Sequence, residues 1–254
     1  MGSSDSQLLS RVMALLRIVA AGPDGGMRAS QISQESGLHL ATTHRLLRSM
    51  QTEGLLRKLG NKHFTLGPEI WTLGQISLQA FDLRSLVQPA LQRLANDPGD
   101  VAFLQVRAGN TAVCLERIDG DYQIRPMTLQ RGERRPLGVG AGSLALLANL
   151  PDDEIDRILK ADTQRAERYP FFTDAWLRDA IGKTRKLGYA KVAGEVVEEM
   201  WAFGVPIHDT QGRLVASLSC AAISSRLDTH PEEAVAAALH EEAAQIATHF
   251  QAQK

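Results

Sequence analysis

The chain has 254 residues, of which 44% are hydrophobic, and its formal net charge at pH 7 is −1. This length allows one large domain or two small ones, and without a run of about 18 apolar residues we expect no membrane span. Two cysteines, Cys114 and Cys220, make neither a metal-binding spacing nor a disulfide framework, and MGSSDSQLL lacks the build of a secretory signal, so we expect a cytoplasmic protein.

The first predicted element is a helix from Ser6 to Ala21, which the turn GPDGG ends. A short helical run follows Ser30 and stops at Gly37, where glycine permits the positive φ of a helix end. A second run carries apolar residues from Leu40 to Leu55 at helical steps. Two helices joined by a short glycine turn predict a helix-turn-helix.

Polar and cationic residues cluster near the start of the second helix, where a helix-turn-helix meets base edges in the major groove. The segment LLRKLGNKHFTL then predicts a hairpin around Gly60-Asn61, with basic residues placed as a wing over phosphates. An ordinary two-helix core with a solvated charged face is the alternative. The residues predicted to contact DNA are Arg28, Thr42, Thr43, His44, Arg45, Arg48 and Lys62.

The run SQISQESGLHLATTHRLLRSMQTEGLLRK resembles the DNA-binding domain of the IclR family of bacterial transcription regulators. That family usually has Ser-Thr-Val-His-Arg-Leu-Leu at the start of its recognition helix, and Thr42, His44 and Arg45 match this pattern. Ala41 and Thr43 depart from it, so no operator sequence can be carried over. The resemblance implies a regulator that binds double-stranded DNA, at a palindromic operator if the protein is a symmetric dimer.

The distribution of charge agrees with a DNA-facing N-terminal end. Residues 1–66 contain 8 Lys and Arg against 4 Asp and Glu, a net +4, which leaves −5 for the remainder of the chain. A basic domain attached to an acidic body suits one nucleic-acid-facing end. Chance clustering of so few charges is the alternative, and the asymmetry supports the motif without standing alone.

Gly67-Pro68 marks a boundary, and we predict a winged helix-turn-helix domain over 1–66, a linker helix over 67–82 and an effector domain over 83–254. The linker helix, Glu69 to Ala80, carries more apolar surface than a small domain needs. The resemblance implies that it takes part in a homodimer or a dimer of dimers, with Trp71 buried there. The alternative is that Trp71 and Ile70 pack on their own wing. A further amphipathic helix, Leu83 to Ala95, is predicted to be interrupted near Pro89.

From Asp100 onward the pattern changes to short strands, VAFLQVRAG, TAVCLERID and YQIRPMTL, and Gly109-Asn110 gives a hairpin signal between the first two. Helices are predicted for 152–161 and 175–187, strands for FGVPIHD and GRLVASLSCAAI, and a closing helix for 231–250. Strands with helices on one side and no βαβ alternation predict an α+β domain. Its order resembles the GAF-like effector domain of the family.

The glycine-rich loop Gly138 to Gly142 leads into a helix, whose first N–H groups favour a carboxylate. A plain tight loop is the alternative. The family's pocket positions depart here: Val192 replaces an acid, Glu199-Met200-Trp201-Ala202 replaces Gly-Val-Arg-Cys, and Ala221 replaces a serine. We therefore expect an aromatic or otherwise apolar organic acid as effector. The predicted contacts are Met127, Gly140, Ala141, Gly142, Ser143, Val192, Met200, Trp201, Ala202, Ser219 and Ala221.

No pattern in the chain predicts an enzyme or a cofactor. His240-Glu241-Glu242-Ala243-Ala244 lacks the second histidine of the H-E-x-x-H zinc motif, and Cys114 has no partner that sequence can place beside it. Two alternatives to a ligand-responsive regulator remain at this point. One is a small-molecule-binding metabolic protein with an incidental winged helix, and the other is a winged helix used for protein contacts.

Overall fold

The computed structural model describes residues 3–80, 83–121, 129–161 and 163–248. The chain divides into two compact units, Met1–Asp82 and Leu83–Lys254. Among the helices of the described residues, none is long and apolar enough to cross a membrane. The predicted contact Met127 and most of the predicted strand YQIRPMTL lie outside the described residues.

The N-terminal unit is a helical domain with a small antiparallel sheet. Gly37 ends the second helix in the left-handed conformation, with φ 67°, as the sequence predicts. The sheet has the order β1-β3-β2, and the two-residue strand β1 is an addition to the predicted hairpin. The elements are α1 Ser3–Ala21, β1 Met27–Arg28, α2 Ala29–Ser36, α3 Leu40–Thr52, β2 Leu56–Lys58, β3 His63–Leu66 and α4 Pro68–Ala80.

A single apolar core holds this unit together. Leu15, Ile32 and Leu47, from α1, α2 and α3 respectively, are fully buried in it. Phe64 of the hairpin closes the core from the side of the wing. Because each helix contributes one apolar face at helical spacing, the opposite face of α3 is left to solvent.

The C-terminal unit combines a six-stranded sheet with helices. Its elements are α5 Leu83–Asn96, β4 Val101–Ala108, β5 Thr111–Asp119, β6 Arg134–Pro136, α6 Ala141–Ala148, α7 Asp152–Ala161, α8 Thr163–Arg168, α9 Asp174–Leu187, β7 Ala190–Ala193, β8 Met200–His208, β9 Leu214–Ile223 and α10 Glu232–Ala247. A 3-10 helix, Ser224–Thr229, precedes α10. The strand order is β6-β5-β4-β9-β8-β7, and each pair of neighbours is antiparallel. The predicted α+β class is confirmed.

Helices cover both faces of this sheet, so the prediction of helices on one side was wrong. One face packs against α5 and α10 around Trp201 and Phe203. The other face meets α6, α7 and α9 around Leu144 and Leu177. The central strands β4 and β9 are buried over most of their length, as strands covered on both faces are.

The predicted interruption of the fifth helix at Pro89 was also wrong. Helix α5 continues from Leu83 to Asn96 with Pro89 inside it. Pro89 is exposed, so the carbonyl group that loses its hydrogen bond can be hydrated and the ring meets no neighbouring element. The apolar face of α5, with Val87, Leu91 and Leu94, is buried against the sheet.

Candidate functional site

Helix α3 presents one continuous polar face to solvent. Ala41, His44, Arg45 and Arg48 are exposed and recur at i, i+3, i+4 and i+7, while Thr42 is half-buried at its edge. Among the described residues, the side chains of Arg45 and Arg48 have no ion-pair partner. The predicted residues His44, Arg45 and Arg48 therefore share one accessible surface at the start and middle of α3.

Thr43 does not lie on that surface, which corrects its place among the predicted DNA contacts. Its side chain is fully buried on the core side of α3. Its hydroxyl donates to the carbonyl oxygen of His39, at 3.2 Å. The sequence offered four polar residues in a row, and the helical period turns this one inward.

The β2–β3 hairpin carries exposed cations beyond the helix. Lys62 is exposed and adopts a left-handed conformation, with φ 64°, at the turn that its N–H closes onto the carbonyl oxygen of Leu59. Arg57 and Lys58 are exposed along β2. Arg28, also exposed, pairs in register with His63, so it belongs to the same small sheet as the hairpin cations.

Helices α1 and α4 carry exposed apolar residues. Trp71 is 70% exposed, and Ile76 on the same helix is 58% exposed. On α1, Leu9 is 67% exposed. Trp71 therefore does not pack on its own wing, whereas Ile70 does contact the core of the N-terminal unit.

The C-terminal unit contains a cavity between the start of α6 and the sheet. About 520 Å³ of empty space lies in and in front of it, a volume that includes open solvent. Its apolar wall comes from β4, β7, β8, β9, the loop that joins β7 to β8 and the segments that precede β6 and α6. The residues of that wall are Phe103, Leu129, Val139, Val192, Val196, Val197, Met200, Ala202 and Ala221. Its polar side chains are Gln105, Arg135 and Ser219.

Glycine brings the start of α6 close to the sheet. A Cβ atom at Gly142 would lie 2.1 Å from Oε1 of Gln105 and 2.8 Å from Oγ of Ser219. Gly140, the residue before α6, has φ 87°. Gly140, Ala141 and Gly142 line the cavity, and the first N–H groups of a helix have no partner within it.

Two of the residues predicted to contact the effector have other roles. The hydroxyl of Ser143 accepts from the N–H of Gly138 and donates to the carbonyl oxygen of Pro136, so it closes the loop and does not line the cavity. Trp201 borders the cavity, but its indole lies in the core on the opposite face of the sheet. There its Nε1 donates to the carbonyl oxygen of Ile223, at 3.0 Å. Alternation along β8 points Met200 and Ala202 to the cavity instead.

Arg135 and Gln105 are the two polar cavity residues that the sequence analysis missed. Arg135 lies on the edge strand β6, and burial lowers the pKa of its guanidinium below the ordinary value. Gln105 is 3% exposed on the central strand β4. Arg135 stands in the basic run RGERRP, and its pairing with Ala112 of β5 places it beside the cavity.

The two cysteines provide no nucleophile. Burial raises the pKa of Cys114 and of Cys220 to about 12, so both thiols are protonated near neutral pH. Within the part of the chain that the structure describes, no group of three or more His, Cys, Asp or Glu side chains could hold a metal ion.

Comparison with known families identifies both units. The profile described as the IclR helix-turn-helix domain matches residues 8–60. The profile described as the C-terminal region of the bacterial transcriptional regulator IclR matches residues 75–248. The acetate operon repressor of Salmonella typhimurium is 27% identical over 225 residues, which are 87% of this chain and 81% of the repressor. Such relatives are regulators and not enzymes.

Solved structures agree on the fold. An IclR transcriptional regulator from Silicibacter sp. TM1040 superposes with a TM-score of 0.81 at 23% identity, covering 94% of each chain. An IclR homolog from Microbacterium hydrocarbonoxydans, crystallised in complex with 4-hydroxybenzoate, has a TM-score of 0.75 at 23% identity. That comparison covers 95% of this chain and 98% of the homolog.

Proposed function

This chain belongs to the IclR family of bacterial transcriptional regulators, and from that premise we propose that a small organic acid, bound in its C-terminal unit, controls its binding to an operator. The observation that carries the proposal is the cavity beside the start of α6. An apolar wall there meets one guanidinium group and the unpaired N–H groups of a helix start. The helix-turn-helix of the N-terminal unit binds the DNA.

In this proposal α3 enters the major groove and its exposed stripe meets the DNA. Arg45 is the leading candidate for a base or phosphate contact, because a guanidinium can pair bidentately with either. His44 and Arg48 flank it on the same face. The exposed cations of the hairpin, Lys62 among them, contact the phosphate backbone and fix the orientation of the helix.

Binding to duplex DNA from the region upstream of the protein's own gene tests this part. We expect a sequence-specific complex whose affinity falls steeply with salt concentration, because the contacts to phosphate release counterions. A metabolic protein with an incidental winged helix, or a winged helix used for protein contacts, predicts no specific complex. Titration over a series of salt concentrations, with an unrelated duplex as competitor, distinguishes these outcomes.

A homodimer or a dimer of dimers is the assembly that we propose. One winged domain reads a half-site, whereas a two-fold dimer reads a palindrome. The exposed apolar residues of α1 and α4, with Trp71 the largest of them, are the surface that we expect such an assembly to cover. Sedimentation at micromolar protein concentration is the direct measurement.

The effector that we propose is an aromatic or otherwise apolar carboxylate. The cavity has Ala221 where the family pattern has a second serine, and Val192 where the pattern has an acid. A hydrated keto acid would leave polar atoms unpaired against this wall, at about 1–3 kcal/mol for each buried group. An apolar ring instead fits against Met200 and Phe103, with its carboxylate toward α6. The 4-hydroxybenzoate complex of the Microbacterium homolog supports this class.

A panel of acids measured by thermal shift tests the effector class. Benzoate-like acids should raise the melting temperature more than glyoxylate or pyruvate, because a ligand that binds only the folded state stabilises it by mass action. Shifts confined to small keto acids, or to neutral compounds, would reject the proposed pocket chemistry. The assignment of the chain as a DNA-binding regulator would stand in that case.

A further inference from the structure

Three polar side chains near the cavity lack hydrogen-bond partners in the described part of the protein. Gln105 and Ser219 are 3% and 4% exposed and line the cavity, and Ser217 beneath them is fully buried. Ser217 lies directly opposite Gln105 in the β4–β9 register. The Oγ atom of Ser217 is buried without a partner, and no bond to protein engages the amide of Gln105. Native interiors leave few such groups, so each one calls for an explanation such as a bound ligand or water.

Arg135 adds a charge at the same place. A Cβ atom at Gly140 would lie 3.5 Å from Nη1 of Arg135, so this guanidinium reaches the start of α6. Among the described residues it has neither a hydrogen-bond nor an ion-pair partner, and burial lowers its pKa. An arginine keeps its charge in proteins, and the neighbouring Glu133 raises the pKa of this one without forming an ion pair with it.

A second, outer cavity touches the same guanidinium. Arg134, Arg168 and Tyr169 line that outer cavity together with Arg135. Arg168 adds positive charge at this end, because it lowers the pKa of Arg135. Leaving a half-buried charge without an ion-pair partner is costly, and an anion bound from solution would neutralise it.

We propose that Arg135 and Gln105 determine the specificity of the effector cavity, with Arg135 binding the carboxylate and Gln105 binding a polar substituent of the same molecule. The two side chains approach α6 at Gly140 and Gly142, two residues apart. Consecutive Cα atoms are about 3.8 Å apart, so the Cα atoms of these two glycines are separated by at most about 7 Å. Each side chain ends beside its glycine, so a single aromatic ring with a carboxylate and a second polar substituent is the class of ligand that we expect to reach both. This inference rests on the function proposed above.

Calorimetric binding of benzoate, 4-hydroxybenzoate and benzamide to the full-length protein tests the two roles separately. Arg135→Leu should weaken the binding of benzoate by at least about 10-fold, because it removes a charge-assisted pair. The same change should leave benzamide binding within about two-fold, since benzamide carries no charge to lose. Gln105→Leu should abolish the preference for 4-hydroxybenzoate over benzoate. Arg134→Leu is the matched control, because Arg134 is the adjacent arginine and lines only the outer cavity.

The melting temperature of the ligand-free variants gives a readout that a structural role would not produce. If Arg135 serves to bind a ligand and does not stabilise the fold, the melting temperature of Arg135→Leu should equal that of the wild type or exceed it by about 2–4 °C. The reason is that the variant loses a charge that has no ion-pair partner. A structural arginine predicts a lower melting temperature. Arg135→Gln, which keeps polarity without charge, serves if the leucine variant does not fold.

The outcomes separate this inference from the proposed function. If the wild type binds no acid of the panel, the proposed effector class fails and this inference fails with it. If the wild type binds benzoate and Arg135→Leu binds it equally well, Arg135 is not the carboxylate site and only this inference is overturned. If Gln105→Leu keeps the preference for the hydroxylated acid, the second contact is overturned.

Discussion

Replacing Gly142 by alanine should separate ligand binding from stability. The new Cβ atom would lie 2.1 Å from Oε1 of Gln105 and 2.8 Å from Oγ of Ser219, and both atoms end mobile side chains. Alanine gains about 0.5–1 kcal/mol over glycine inside a helix. Moving Gln105 off its favoured rotamer costs about 0.5–1.5 kcal/mol, so the free energy of unfolding should change by less than about 1 kcal/mol.

The affinity for benzoate should fall by more than the free energy of unfolding changes, because the methyl group and the displaced Gln105 side chain both occupy the cavity. At 100 times its dissociation constant, a ligand stabilises the wild type by about 2.7 kcal/mol. A ten-fold loss of affinity would reduce this to about 1.4 kcal/mol, roughly half the thermal shift. Valine in place of alanine should abolish the shift, while the DNA affinity of the ligand-free protein stays nearly unchanged.

The control for this experiment is Gly182→Ala, which makes the same chemical change inside helix α9. A Cβ atom at Gly182 would meet no atom within 4 Å, so this variant should gain stability and keep the full benzoate shift. Differential scanning fluorimetry over a benzoate titration measures both variants. An undiminished shift in Gly142→Ala would refute the placement of the ligand beside α6.

Four further predictions concern the N-terminal unit. Arg45→Ala should weaken specific DNA binding by about 1–3 kcal/mol if Arg45 reads a base, and fluorescence anisotropy that gives wild-type affinity for the native operator would show that α3 docks differently. Lys62→Ala should lower affinity evenly across sequences and reduce the salt slope by about one, whereas an effect on one sequence alone would contradict a phosphate contact. Lys62→Gly should lower affinity equally but stabilise the unit, since glycine adopts φ 64° without strain. Trp71→Asp should shift the sedimentation of the protein toward the monomer at micromolar concentration, and an unchanged distribution would contradict the predicted dimer surface.

Local patterns predicted the fold well, because they report which face of an element is buried. Gly37 ends its helix as expected, and the hairpin turns at Gly60-Asn61. The single-sided helical cover was wrong because both faces of the strand runs VAFLQ and VASLSCAA are uncharged, with only Gln105 and two small serines as polar residues. That composition is compatible with one covered face or two, and only the packing of α6, α7 and α9 decides between them.

The site was less predictable, because side-chain direction depends on register and on local hydrogen bonds. Thr43 looks available for DNA contact in the sequence, yet the helical period buries it. Trp201 looks like a pocket residue, yet alternation along β8 sends its indole to the opposite core. Arg135 lies in a basic run typical of a surface turn. Its role as a cavity residue depends on a strand of three residues that no periodicity could indicate.

The composition of the cavity bears on which ligands can act as effectors. Within the described residues the half-buried Arg135 guanidinium and the buried Gln105 amide have no hydrogen-bond partner, and burial lowers the pKa of Arg135. A carboxylate that reaches Arg135 supplies such a partner, whereas a neutral isostere of the same shape leaves the cation unpaired. Discrimination against neutral analogues therefore arises mainly from the free-energy cost of leaving Arg135 without an anionic partner. The apolar wall contributes affinity to charged and neutral ligands alike. A regulator built in this way distinguishes an aromatic acid from its amide more sharply than it distinguishes two acids of similar size.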